Sequence, residues 1–210
     1  MKTKWIFKIG ISLLLLSLLS ALIYFYYRQG EVAALPYFTS RTEPNRYLKI
    51  EPFNLWNQNG QRIQESLVKD KITVVEFFFS TCKTICPVMN RQLKKVYQSL
   101  SDPNVLFLSF TVDPETDTPE QLSRYKKQLE ITDQGWQFIT GSKKNIYHLA
   151  RHAFELDTAR VYNESEDFIH TQQVVLLDQK GFVRGYFDAT RTASMDSLCL
   201  RIKLLQKLEP

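Results

Sequence analysis

Two cysteines four residues apart, Cys82 and Cys86, stand in the stretch Cys82-Lys83-Thr84-Ile85-Cys86-Pro87. An apolar, β-prone run from Ile72 to Phe79 leads into them, and a helical pattern from Val88 to Leu100 leads away. Thiols at a strand-to-helix turn meet unpaired backbone N–H groups and the positive end of a helix dipole, which favour thiolate over thiol. One helical turn apart, their Cα atoms are expected about 6 Å from each other, within the span of a disulfide but toward its long end. Such a pair can close on itself or on a soft metal ion. As a structural staple it would add little, because the loop it closes is tiny. Cys199, between Leu198 and Leu200 in a C-terminal helical pattern, is expected to pack as a small core residue, and three cysteines are too few for a disulfide framework.

The elements that must position the pair follow from the pattern of the chain. Tyr47 to Ile63 alternates around Asn59-Gly60, a hairpin signal. Ile72–Phe79 and Asn104–Val112 read as strands buried on both faces. Thr118-Pro119-Glu120-Gln121 is a capping box with proline at the first helical position, opening a helix to about Leu129. Trp136–Thr140 is a short strand stopped by Gly141, and Ser142 is expected to cap a helix to about Glu155. Thr171–Leu177 and Phe182–Phe187 form a strand pair around the turn Asp178-Gln179-Lys180-Gly181. Ser194–Leu208 closes as an amphipathic helix with Leu198, Ile202 and Leu205 on one face. This order predicts an α/β fold, a sheet with helices on both faces. Cysteines at the end of the first long strand make it a thioredoxin-like sheet with an N-terminal β-hairpin.

Ahead of that domain (47–210) lie an expected membrane anchor (1–28) and a polar, proline-punctuated linker (29–46). Ile9 to Tyr27 carries no charge and, as one transmembrane helix, spans nearly 30 Å. Lys2, Lys4 and Lys8 precede it, so the positive-inside rule keeps the N-terminus cytoplasmic and exports the rest. A cleaved signal peptide would have a shorter apolar region and a small-x-small site after it; aromatics Tyr24 to Tyr27 fill that place, so an uncleaved anchor is expected. With Lys2, Lys4, Lys8 and Arg28 set aside, 23 basic residues face 22 acidic ones, which argues against nucleic acid as a partner.

At the cysteines the sequence resembles the Sco/SenC family, membrane-anchored copper proteins of cytochrome oxidase assembly. Phe78-Phe79-Ser80-Thr81-Cys82 through Cys86-Pro87 is similar to its Cys-x-x-x-Cys-Pro signature, Thr111-Val112-Asp113-Pro114 with Asp117-Thr118-Pro119 to its Val-Asp-Pro…Asp-Thr-Pro segment, and Ile169-His170-Thr171 to its histidine segment before a strand. Lys83 departs from the proline many members carry there. The resemblance implies a copper site, Cu(I) or Cu(II), held by Cys82, Cys86 and His170. Taken alone, His170 would read as a capping or core histidine. Thiolates select Cu(I), imidazole suits copper in either state, and three ligands leave an approach open to a recipient. It also implies a single-pass place in the bacterial inner membrane with the domain on the periplasmic side, and the copper-bearing subunit of cytochrome c oxidase as partner. A copper donor and a thioredoxin-like reductant are further expected partners.

Other residues are weighed beside these. Asp113 fits two roles equally, an acceptor behind the metal ligands or a turn residue before Pro114. Asp117 is expected in a loop or cap. His148 and His152 share a helix face with Lys144 and Arg151 and are expected to be solvated, and Met89 and Met195 to be packing. Two functions remain open: a copper-delivering assembly protein, or a thiol–disulfide oxidoreductase that keeps the recipient's copper-ligand cysteines reduced. In the latter Cys82 attacks and Cys86 resolves. A peroxidase-like reading lacks an assignable activating set.

Overall fold

The computed structural model describes residues 13–23, 35–100, 102–156 and 171–208. Residues 13–23, the described part of the expected anchor, are helical with exposed side chains. Among the described residues no helix is long and apolar enough to cross a membrane.

A second compact unit starts at Leu35, within the expected linker. Leu35 and Ser40 are buried, and Thr39 bridges Tyr47, so residues 35–46 pack onto the domain that follows them. Seven strands form one sheet: β1 (Asn54–Asn57), β2 (Arg62–Gln64), β3 (Ile72–Phe78), β4 (Val105–Thr111), β5 (Trp136–Thr140), β6 (Gln173–Leu177) and β7 (Val183–Asp188), in the order β2-β1-β5-β4-β3-β6-β7. β3, β4 and β5 run parallel, and β6 and β7 add an antiparallel pair beside β3. The expected hairpin is β1–β2, turning at Gly60 (φ +70°), and it is shorter than its sequence signal because Lys49 pairs with Phe182 instead.

Strands β3, β4 and β5 are buried at every position, as strands covered on both faces must be. One face carries helices α1 (Cys86–Leu100), α2 (Pro119–Gln128) and α4 (Thr192–Leu208), which bury Met89, Leu93, Leu122, Met195, Leu198 and Ile202. The other carries α3 (Lys143–His148) and the wider π-type turn Leu149–Ala153, covering Phe77, Phe110 and Val175. Met89 and Met195 are therefore core residues, as the helical spacing required.

Thr118 caps α2 as its sequence predicts, its hydroxyl accepting from Gln121 N at 3.3 Å. Thr118→Ala is expected to cost about 1 kcal/mol of stability, read as a lower denaturant midpoint with unchanged slope. Ser142 caps only in part: its side chain makes no cap bond, and its carbonyl accepts from Ile146 N at 3.1 Å. The regular helix also ends at His148, earlier than the apolar pattern suggests.

Candidate metal and thiol site

β3 ends at Phe78, in the middle of the sheet, and the chain must turn there to lay α1 across the face. The turn is closed by Cys82 N donating to Phe79 O at 3.2 Å. Val88 N and Met89 N both donate to Ile85 O, so the helix winds from there. Cys86 is the first residue of α1, and Cys82 lies in the turn before it. The sequence expectation of two cysteines one helical turn apart is corrected accordingly: Cys82 precedes the helix, and the sulfurs meet because the turn folds back on the helix start. Cys86 N, one of the unpaired donors there, points at Cys82 Sγ across 3.5 Å.

The two thiols are chemically unlike. Both are free. Burial pushes against ionisation of Cys82, but the N–H of Cys86 and the Thr84 hydroxyl, 3.8 Å from Sγ, outweigh it and lower the thiol to about 7. Cys86 is buried, 4% exposed, and desolvation pushes it up to about 12, helped by the neighbouring Cys82 and by Glu76. Alkylation by iodoacetamide at pH 7.5 is expected to label Cys82 and to leave Cys86 unlabelled, with a rate at Cys82 half-maximal near pH 7. Peptide mapping of the labelled chain checks it; equal labelling at Cys86 would contradict the asymmetry.

His170 lies outside the described residues. The strand that follows it in sequence is described: Val75 faces Val175, Val74 faces Leu176 and Thr73 faces Leu177, antiparallel. The start of β6 therefore sits at the end of the sheet where β3 finishes and the cysteines begin. Thr171, next to the histidine in sequence, begins the described chain there, its hydroxyl accepting from Gln173 N at 3.1 Å. Among the described residues no group of three or more His, Cys, Asp and Glu side chains is gathered as a metal site. Two sulfurs side by side, one of them acidic, suit a soft ion once a third donor joins them.

Asp113 follows β4 and is half-buried. Its backbone builds the turn, N donating to Thr111 Oγ1 at 3.0 Å and O accepting from Asp117 N at 2.9 Å. No hydrogen bond joins it to either cysteine among the described residues. Asp117, expected as a loop residue, is fully buried at the base of the cysteine turn. His148 lies on the surface, its Nε2 2.6 Å from Glu51 Oε2, its ring tilted 30° against that of His152 with centroids 4.8 Å apart, as the solvated reading expects. Cys199 is half-buried against the α1–α4 core, 3.8 Å from Ser99 Oγ.

Sequence reasoning missed Glu76. It points from β3 into the face that holds Cys86, fully buried, accepting from Ser109 Oγ, which in turn accepts from Trp136 Nε1 at 2.7 Å. Its Oε2 has no partner among the described residues. Burial pushes its carboxyl up to about 7 against the Ser109 hydrogen bond, which lowers it. The signal was one carboxylate inside an otherwise apolar strand.

The SCO1/SenC family model matches residues 41–202, a span that contains the sheet, the cysteine turn and both helical faces. A SCO1 protein homolog of Bacillus subtilis is 28% identical over 170 residues, covering 80% of this chain and 87% of that one. Among solved structures, BsSco, described as having a disulfide switch and as a member of the Sco family of cytochrome c oxidase assembly proteins, superposes with a TM-score of 0.65 at 27% identity, over 76% of this chain and 94% of that one. Bradyrhizobium japonicum ScoI with copper bound shares the fold at a TM-score of 0.58 and 23% identity, over 73% of this chain and 96% of that one. With the cysteine turn, the parallel β3–β4–β5 core and a match over most of its length, the chain belongs to the SCO1/SenC family.

Proposed function

We propose that this chain binds one copper ion outside the cytoplasm and passes it to the copper-bearing subunit of cytochrome c oxidase. The observation that carries the reading is the paired, unequal thiols at the start of α1, Cys82 acidic and half-exposed, Cys86 buried behind it. Cys82, Cys86 and His170 are the proposed ligands. Copper is cargo here, and the chain's task is to offer donors that hold it and still leave one side open. Cys82 faces outward and can meet a recipient's thiolate first, while Cys86 stays under the turn. An uncleaved anchor over residues 9–27 would hold the domain beside the membrane, where tethering raises the effective concentration of carrier at a membrane-embedded recipient. A relative is described as serving oxidase assembly and another as holding copper, which supports both parts.

A second reading is favoured by the same asymmetry. A low-pKa attacking thiol with a protonated, buried resolving thiol is what thiol–disulfide exchange needs, and BsSco is described as having a disulfide switch. In this role the chain reduces a disulfide between the recipient's cysteines before metal arrives, Cys82 forming the mixed disulfide and Cys86 releasing it, so that the recipient leaves with two thiols and the chain with a Cys82–Cys86 disulfide.

Anaerobic Cu(I) titration of the full chain in detergent, against a competing chelator, tests the first reading. One equivalent bound per chain is expected. Failure to outcompete the chelator while dithiol exchange persists would leave only the second.

A further inference from the structure

The buried carboxylate of Asp117 joins three elements that meet under the cysteine turn. Its Oδ2 accepts from Ser80 N at 3.0 Å, its Oδ1 from Ser80 Oγ, and Oδ2 again from Thr111 Oγ1 at the end of β4. Its own N–H donates to Asp113 O at 2.9 Å, fixing the approach to α2. Gln121 Nε2, from the first turn of α2, donates to Ser80 Oγ at 3.1 Å. Ser80 thus has its N–H, its hydroxyl proton and a hydroxyl lone pair all engaged, two residues before Cys82. A buried carboxylate with charge-assisted bonds of this kind is stiff, and breaking one arm leaves charge or polar surface unpaired. Ser80 lies inside the short turn that Cys82 N closes on Phe79 O, and at the end of that turn Cys82 Sγ lies under Cys86 N.

The geometry points to Asp117 as a positioning residue: through Ser80 it fixes where Cys82 Sγ stands relative to Cys86, and so sets the balance between the dithiol and the disulfide. Asp117 touches neither sulfur and takes no part in the exchange. The observed arrangement is the dithiol one, with both thiols free and the Cys86 N–H on Cys82 Sγ. Disulfide formation brings the sulfurs to bonding distance, about 2.05 Å, and needs the turn to shift. A turn tied down at Ser80 resists that shift, and a loosened one yields to it. The inference rests on reading Cys82 and Cys86 as the working pair, and it requires no copper.

The test is the equilibrium of the copper-free full chain, in detergent, with glutathione. The chain with two thiols plus one glutathione disulfide gives the chain with its Cys82–Cys86 disulfide plus two glutathiones; two electrons and two protons pass from the protein to glutathione. Asp117→Asn and Ser80→Ala are each expected to shift this constant at least tenfold toward the protein disulfide, and Ser80→Thr, which keeps the hydroxyl, to stay within threefold of the unaltered chain. Thr111→Val cuts the arm that leads away from the cysteines; it is expected to lower the melting temperature and leave the constant within threefold. Should Asp117→Asn fail to fold, Ser80→Ala decides. The proposal is overturned if folded Ser80→Ala lies within threefold of the unaltered chain, if Thr111→Val shifts the constant as much as Ser80→Ala, or if the unaltered chain forms no disulfide. A chain that takes up no copper yet shows the expected shifts would sink the copper reading and leave Asp117's role standing.

Discussion

Alanine in place of His170 is expected to weaken Cu(I) binding by roughly a hundredfold or more, beyond the 10–100-fold typical of losing a partner behind the ligands. A hundredfold corresponds to about 2.7 kcal/mol. Cys82 and Cys86 alone supply two sulfurs from one turn, and the third donor must come from another element. β6 begins at the cysteine end of the sheet because it pairs antiparallel with β3, and the segment that precedes β6 carries the histidine. The same variant should reduce a disulfide substrate at nearly the unaltered rate, because the exchange uses Cys82 and Cys86 only. Cys82→Ser should stop that exchange altogether. Chelator competition and a disulfide-reduction assay on both variants check the division. Equal loss of exchange in the two would show that the histidine does more than bind metal.

Glu76→Gln is expected to stabilise the chain at pH 8 by ~3 kcal/mol and to change little at pH 4.5. In the unfolded chain this carboxyl titrates near 4.5, and in the fold burial holds it near 7. Between those values the folded chain keeps a proton that the unfolded chain has released. Stability therefore falls as pH rises from about 4.5 to 7, and above 7 the whole loss is present. Glutamine keeps an oxygen for Ser109 and carries no charge to desolvate. Cys82 titrates near 7, at the upper edge of this window, in both proteins, so its contribution is shared, and Cys86, pushed up to about 12, stays protonated at both pH values. Denaturant unfolding at the two pH values measures it. A gap between variant and unaltered chain that is the same at pH 4.5 and pH 8 would contradict the buried-carboxylate account.

Much of this was legible in the residues. The mostly apolar, β-prone runs at 72–79 and 104–112 read as strands covered on both faces, and cysteines at the end of the first run put the chemistry at a strand-to-helix turn. Thr118 with Pro119 marked the start of α2 to the residue. What escaped was non-local. Residues 35–46 look like a linker by composition, yet Leu35 and Ser40 are buried, the Ser40 hydroxyl donating to Glu155 at 2.6 Å, more than a hundred positions away. Asp117 sits in a segment rich in turn residues, and only the folded contact with Ser80 and Thr111 shows it to be an internal strut. Ser142 has the composition of a cap, but its hydroxyl makes no cap bond, and the helix it opens gives way to a π-type turn after His148 that no period in the sequence announces. The cysteines' unequal acidity likewise depends on the burial of Cys86 and on its backbone N–H aimed across the turn at Cys82, which only the folded chain sets.

X-ray absorption at the copper edge, on the full chain loaded with one equivalent of Cu(I), tests the shared-ion claim most directly. The spectrum is expected to require two sulfur scatterers and one imidazole at a single copper ion, with the imidazole signal lost in His170→Ala. Sulfur-only coordination in the unaltered chain, or a copper–copper vector from ions shared between chains, would contradict it.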